Sequence, residues 1–506
     1  MKKIIYIAAL AGTVFFTACE KELDQKPISD ATTETFYAIP NDFIQGVNAV
    51  YSSLRAYPDR LLNLSETRSD NLYAVSDGGV RDWEGINGFQ KNLASNPYIE
   101  EAWGTDYNGI YKANVVLDQI AKNGTIITNE TLRNRLAAET RFLRAFFYFD
   151  LVRLYGKVPL VDKIVTAQEA LNISRSPVAD VYALIESDLQ FAIDNLPPTY
   201  TAAADKGRAT SYAARGILAL VYMTKSGPTY NIDGPGLASN EWAKAYALLN
   251  KIVVDNKYGL VTSSYADIFS YTNENNSEVI FDVEYNTGSS PVTGATFPWV
   301  LAPDAWFTAT LGKPVQGGLT IRPISNSLLN SYATGDVRKT FSIQNGYTGS
   351  GNVVETRSFF KKYIDITKIP TTSRFDWPIN YIVLRYTDVL MLRAECVLNA
   401  GGGDVATEVL LPVNQIRARA GLTVPLLTLT LPQLMEERRR EFAGEGLRWH
   451  DLVRSGLVTT VMPAWDAADD VENKIAPFTN DFIIYPVPFN QINLKPGLYT
   501  QNPGYN

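Results

Sequence analysis

A series of segments with the periodicity of amphipathic helices constrains the fold of this 506-residue chain more than any other feature. The segments lie at about 42–55, 99–121, 130–155, 178–195, 208–226, 239–255, 382–400, 404–420 and 431–455. Within 130–155, apolar side chains recur every three or four residues, at Leu132, Leu136, Leu143, Phe147, Leu151 and Leu154. The pattern predicts a mainly α fold. Gly444 and Gly446 fall inside the last segment and are expected to weaken or kink its helix.

Three consecutive helical segments begin about 30 residues apart, at 178, 208 and 239. The middle segment carries small residues such as Ala213, Ala214 and Gly216, which let a neighbouring helix approach closely. This spacing predicts stacked helical hairpins of the tetratricopeptide type.

The character of the chain changes between about 262 and 375, where Gly, Ser, Thr, Asn and Pro are frequent and helical periodicity fades. Short runs typical of strands occur there, for example at 279–285. Long irregular segments in compact proteins commonly carry function. We therefore predict a loop-rich lobe with short strands, inserted between helical regions and carrying a ligand site.

The N-terminus has the pattern of an exported lipoprotein. Two lysines precede an apolar run from 4 to 16, which is shorter than the roughly 20 residues that a spanning helix needs. Thr17, Ala18 and Cys19 follow and resemble a bacterial lipobox, although Phe16 stands where Leu is commonest. We predict a signal peptide at 1–18, lipidation of Cys19, a tether at 19–40 and a folded body at 41–506. Ordinary secretion, with Cys19 incidental, is the alternative.

The composition limits the possible chemistry. His450 is the only histidine, so a catalytic triad or a multi-histidine metal site would have to use it. The glutamates near it lie among arginines, which lower carboxylate pKa values and so oppose a role as general acid. We predict an ion-paired helix, no enzyme activity, no metal and no cofactor. The net charge of −7 argues against a nucleic-acid partner, and Cys396 is expected in the core.

Several motifs, in a fixed order, resemble the SusD/RagB family of outer-membrane nutrient-binding lipoproteins. They are Cys19 with its acidic follow-on, AETRFLRAFFYFDLVRLYGKVPL at 138–160, GRAT at 207–210, LRYTDVL at 384–390, RAE at 393–395, ERRREFAGEGLRWHDLVR at 437–454, YPVP at 485–488 and QNPGY at 501–505. The resemblance implies a helical body with tetratricopeptide-like hairpins and a ligand lobe. It also implies display on the outer membrane, capture of oligosaccharides or other nutrients, and delivery to a SusC-like TonB-dependent transporter.

If the ligand is a glycan, its site needs flat aromatic side chains for the sugar faces and Asp, Asn or Arg for hydroxyl pairs. Two loop regions offer both, at 69–89 and 297–307, and 374–377 is a weaker third. The ligand contacts predicted from them are Asp70, Arg81, Trp83, Trp299, Trp306 and Trp377. The alternative for each tryptophan is packing of its loop onto the body. Trp103, Trp242 and Trp449 lie on helical faces and are predicted to be core.

Two functions from different classes stay open on the sequence. The first is a surface glycan-binding lipoprotein that serves a transporter. The second is a tetratricopeptide-like scaffold that binds peptide or protein at the outer membrane. The loops that combine aromatic, Asp and Arg residues favour the first, whereas the helical repeats do not separate the two.

Overall fold

The computed structural model describes residues 36–74, 81–312, 320–370, 373 and 375–505. Cys19, the signal peptide and most of the tether therefore lie outside the described residues. The fold is mainly α, as predicted. None of the helices in the described ranges is long and apolar enough to cross a membrane.

The body is built from α-helices, with shorter helices in the lobe and near the C-terminus. They are α1 Pro40–Tyr51, α2 Tyr57–Leu61, α3 Asp82–Asn87, α4 Pro97–Asn123, α5 Glu130–Tyr155, α6 Ala167–Ala170, α7 Val178–Asn195, α8 Ser211–Ser226, α9 Trp242–Val254, α10 Phe297–Leu301, α11 Asp304–Leu311, α12 Asn326–Ser331, α13 Val337–Ser342, α14 Tyr386–Leu398, α15 Leu411–Arg419, α16 Leu431–Phe442, α17 Arg448–Ser455, α18 Val458–Asp469 and α19 Phe489–Leu494. Single π-turns occur at Leu62–Glu66 and Ala406–Leu410. Short 3-10 turns lie at Ser52–Ala56, Leu93–Ser95, Gly124–Ile126, Ala203–Asp205, Ala266–Phe269, Ser350–Asn352, Ile366–Lys368 and Asn480–Ile483.

The long helices pack in chain order: α4 on α5, α5 on α7, α7 on α8, α8 on α9, and α9 on α14. Glycines allow the closest contacts between neighbouring elements. A Cβ on Gly109 would meet the ring of Phe147, and one on Gly216 would meet Leu384. This succession of packed neighbours is what the predicted helical hairpins require. Phe142, Leu143 and Phe147 on α5 are fully buried, because this helix has neighbours on several sides.

The lobe contains more regular structure than its composition suggests. It holds α10 to α13 and a hairpin of β4 Ile343–Thr348 with β5 Val354–Phe360. A second antiparallel pair joins β3 Val279–Val283, near the start of the lobe, to β6 Tyr381–Arg385, just before α14. The remaining pair is β1 Val158–Pro159 with β2 Arg175–Ser176. The β3–β6 pair ties the lobe directly to the helical body.

Two helix predictions are wrong in detail. The predicted helix at 382–400 begins at Tyr386, because residues 381–385 form β6 and pair with β3. The predicted helix at 431–455 is two helices, α16 and α17, separated at 443–447. Gly444 and Gly446 have positive φ angles of 79° and 73°, so they break the helix rather than kink it.

Candidate ligand-binding site

Three of the predicted ligand tryptophans belong to one aromatic cluster inside the lobe. The rings of Trp299 and Phe307 are stacked with centroids 4.3 Å apart, and Trp377 lies 6.0 Å from Phe307. Trp306 packs against Phe307 and, at 5.4 Å, against Phe359. All of these rings are buried, so the cluster is the apolar core of the lobe.

This burial changes what the three tryptophans can offer a ligand. Trp299 and Trp377 are 2% and 0% exposed, so in this conformation their ring faces are occupied by protein. Trp306 is 7% exposed and borders a cavity on one side of the lobe. Contact of any of the three with ligand stays a prediction.

Asp70 is also engaged within the protein. Its carboxylate accepts from the guanidinium of Arg448 at 2.8 and 2.9 Å and lies 3.1 Å from a guanidinium nitrogen of Arg439. Burial alone would raise the pKa of Asp70, but the two arginines lower it below its ordinary value. A carboxylate held in this way fixes the loop to α16 and α17.

The structure brings the loop after the Leu62–Glu66 turn against the lobe. Leu72 and Ile324 form an antiparallel bridge, and the Tyr73 amide donates to the Pro323 carbonyl at 2.8 Å. Asn87 holds the same loop, because its side chain bonds the main chain of residues 67, 72 and 74. We call this place, defined by Tyr73, Arg81, Trp83, Tyr98 and Arg322, the loop–lobe junction.

Arg322 is the centre of the junction. Its guanidinium lies 4.5 Å from the centroid of the Trp83 ring, donates to Asn63 at 2.8 Å and lies beside the Tyr98 hydroxyl. Burial lowers the pKa of Arg322. Within the described ranges no carboxylate is at ion-pair distance from either Arg322 or Arg81, whereas most other buried arginines of the body are paired with one. Buried Arg68 likewise has only neutral partners, the Phe482 carbonyl and the Tyr505 hydroxyl.

The two tyrosines and Trp83 supply aromatic surface at the junction. Tyr73 and Tyr98 are partly exposed, as is Arg81, whereas Trp83 is 4% exposed. The buried indole N–H of Trp83 has no acceptor among the residues that the structure describes. The junction therefore combines partly exposed rings, cationic groups without counter-ions and an unsatisfied donor. Such a set suits a ligand that is rich in hydroxyls.

Sequence reasoning found Arg81 and Trp83 but missed Arg322 and Tyr98. Arg322 follows a Gly-rich stretch in the lobe, and Tyr98 is the second residue of α4. No local signal distinguishes them. Arg322 meets Trp83 from more than 200 residues away in the chain, and Tyr98 joins the junction through Arg322.

The glutamates of 437–454 form a buried ion-pair network, as predicted. Glu437 pairs with Arg338 at 2.7 Å, Glu441 with Arg385 at 2.9 Å, and Glu445 with Lys362 at 2.6 Å. For Glu441, burial opposes ionisation, yet the surrounding arginines lower the pKa to about 2. A general acid must hold its proton near neutral pH, so Glu441 is unsuited to that role.

The remaining candidates for chemistry are buried too. His450 has a pKa well below its ordinary value, first through burial and then through Arg153 and Arg454. Cys396 is fully buried, as are Trp103, Trp242 and Trp449, which confirms their predicted place in the core. Across the described part of the chain, no group of His, Cys, Asp and Glu side chains is arranged to hold a metal ion.

Comparison with known proteins agrees with this architecture. A family model described as "SusD family" matches residues 259–505, and one described as "Starch-binding associating with outer membrane" matches 22–223. A SusD-like protein of Formosa agariphila is 24% identical over 95% of both chains. The starch-binding protein SusD of Bacteroides thetaiotaomicron is 26% identical over 74% of this chain and 73% of its own.

Solved structures show the same fold. Surface glycan-binding protein A from Bacteroides thetaiotaomicron, in complex with laminarihexaose, aligns with a TM-score of 0.77 at 23% identity, over 92% of this chain and 99% of that one. A laminarin-binding SusD-like protein aligns with a TM-score of 0.73 at 26% identity, over 93% and 100% of the chains.

Fold and junction together define a helical protein with an inserted lobe and a candidate ligand site between the two. The two family models match complementary parts that together span most of the sequence, in the order that the motifs predicted. The chain belongs to the SusD/RagB family.

Proposed function

We propose that this protein is a surface glycan-binding lipoprotein that binds oligosaccharide at the loop–lobe junction and passes it to a SusC-like TonB-dependent transporter. Cys19 carries the lipid anchor, and the outer membrane is the location, in agreement with the description of one matching family model. The body acts by binding and carries out no catalysis.

The observation that carries the proposal is the pairing of Arg322 with Trp83 and Tyr98. A buried guanidinium is costly unless it is compensated, and most buried arginines of this body are paired with carboxylates. Arg322 is held by neutral groups, which leaves donors for sugar hydroxyls beside rings that fit sugar faces. The relatives named for binding starch, laminarin and laminarihexaose support a glucan as first probe.

The decisive variant is Tyr98→Ala, with Tyr111→Ala as its matched control. Both tyrosines lie on α4, but Tyr98 is at the junction and Tyr111 is 55% exposed away from it. Titration calorimetry of the soluble body with laminarihexaose and maltohexaose should show binding to at least one. We expect Tyr98→Ala to weaken it at least tenfold, about 1.4 kcal/mol, while Tyr111→Ala leaves it unchanged.

Other outcomes separate the alternatives. Equal affinity of the two variants would place the glycan site outside the junction. Binding to peptides but to no saccharide in a wider panel would favour the scaffold function instead. Thermal unfolding of both variants shows whether a loss of binding follows from a loss of folding.

A further inference from the structure

The cavity beside Trp306 lies on the lobe, and it shares no lining residue with the loop–lobe junction. Its volume is about 570 Å³, within the range of small-molecule sites, roughly 300 to 1,000 Å³. Its walls come from the 266–272 segment, the end of α13, the start of β4, the 361–368 segment and Trp306 of α11. It is therefore built from the lobe's own elements.

Aromatic rings form one side of this cavity. Phe269 and Phe341 are stacked with centroids 5.7 Å apart, and Tyr271 is fixed by donation of its hydroxyl to the Tyr363 carbonyl at 2.7 Å. Phe341 and Tyr271 are partly exposed, and Trp306 adds an edge. Sugar faces can pack on rings held in this way.

Lys361 lines the cavity without an acidic partner. Its Nζ lies 3.5 Å from Oε1 of Gln344, and in the described part of the chain no carboxylate is at ion-pair distance from Lys361 or Lys368. The neighbouring Lys362 differs, because it is fully paired with Glu445 and two carbonyls. Burial lowers the pKa of Lys361, with no nearby acid to oppose it.

The acidic residues of the lining are already engaged by neutral donors. Asp365 accepts from the amide and hydroxyl of Thr367, at 2.9 and 2.7 Å, and Asp267 accepts from Ser263. Neither carboxylate neutralises Lys361. A bound anion would supply the missing partner of this half-buried ammonium.

We propose that this cavity is a second glycan site, selective for acidic saccharides, in which Lys361 receives a carboxylate or sulfate group while Phe341, Tyr271 and Trp306 contact sugar faces. The inference rests on the proposed function, since it assumes that the chain binds glycans. The chain carries a net charge of −7, so recognition of an anion here depends on these local lysines and not on the overall field.

The test uses three probes on the soluble body: a galacturonic acid hexamer, a sulfated carrageenan hexasaccharide and neutral laminarihexaose. We expect at least one acidic probe to bind, with affinity that falls as salt rises. Lys361→Gln should weaken that probe at least tenfold without affecting laminarihexaose, and Tyr98→Ala should do the reverse. Lys257→Gln, which removes an exposed lysine elsewhere, should change neither.

Lys361→Gln and Tyr98→Ala serve as folding controls for each other, because each variant is expected to lose one ligand and to keep the other. The proposal of a second site would be overturned if the acidic probes bind the wild type and Lys361→Gln equally. It would also be overturned if both acidic probes fail to bind while laminarihexaose binds. If neither the acidic probes nor any neutral saccharide of the wider panel binds, the proposed function fails together with this inference. The relative affinities of the uronate and sulfate probes identify which anion the site prefers.

Discussion

The surroundings of His450 determine its protonation state. On the sequence it was the one candidate base, and in the fold it is buried between cationic neighbours, with a pKa well below its ordinary value. It is therefore neutral in the folded state at mildly acidic pH. The unfolded chain takes up a proton near pH 6.5.

This difference predicts a pH dependence of stability. The contribution of neutral His450 is complete above the unfolded pKa and is lost as the pH falls below it. Urea unfolding at pH 7, 6 and 5 should show that His450→Gln loses ~2 kcal/mol less than the wild type over this range. The two proteins are compared by how their free energy of unfolding changes with pH, because the glutamine also changes packing and so shifts the value at every pH. Identical slopes for the two proteins would contradict a buried neutral imidazole.

At the scale of elements, the break between α16 and α17 determines where the charged side chains point. Gly446 has a φ of 73°, its amide donates to Glu66 at 2.9 Å, and a Cβ there would lie 2.6 Å from Leu61. A continuous helix would direct Arg448 and Asp451 away from their partners Asp70 and Arg438. The glycine turn therefore allows the ion-pair network to close.

Substitution of this glycine tests the role of the turn. Gly446→Ala combines a strained φ with a clash, so we expect a loss of ~1–3 kcal/mol in the free energy of unfolding. Gly104→Ala is the matched control, because Gly104 lies inside α4 with open space around its Cβ position. Alanine there should be neutral or stabilise by about 0.5–1 kcal/mol. Denaturant titration compares the two, and equal effects would disprove a special requirement at 446.

At the scale of the whole molecule, the body is a helical stack to which the lobe is joined at several places. The β3–β6 pair forms one connection, and the bridge between Leu72 and Ile324 forms a second. Ion pairs of Arg338 with Glu437 and of Lys362 with Glu445 add further contacts. A site at the second connection has one wall from the body and one from the lobe.

The anchor is tested on the whole protein in cells. Cys19→Ala should move the protein from the membrane fraction to the soluble fraction, because it removes the residue that the proposed acyl chains would modify. Cys396→Ala is the control, since it removes the other cysteine from the core without touching the anchor. Continued membrane association of Cys19→Ala would show that another element attaches the protein.

The sequence by itself determined the helical architecture, the ion pairing of the glutamates at 437–454 and the family. These features depend on local periodicity and on motifs that are contiguous in the chain, such as 130–155 and 437–454. Helix ends were also predictable where a cap is local, as at Asn129, whose side chain accepts from the Leu132 amide.

Only the tertiary structure decided that the tryptophans of the lobe are core and which residues meet at the candidate ligand site. Trp299, Trp306 and Trp377 look like loop residues in sequence, yet they pack on one another because Phe307 and Phe359 complete their cluster. Arg322 meets Trp83 from a distant part of the chain, and β6 replaces the start of a helix because β3 pairs with it. Burial and pairing of this kind depend on residues far away in the chain, which no local pattern records.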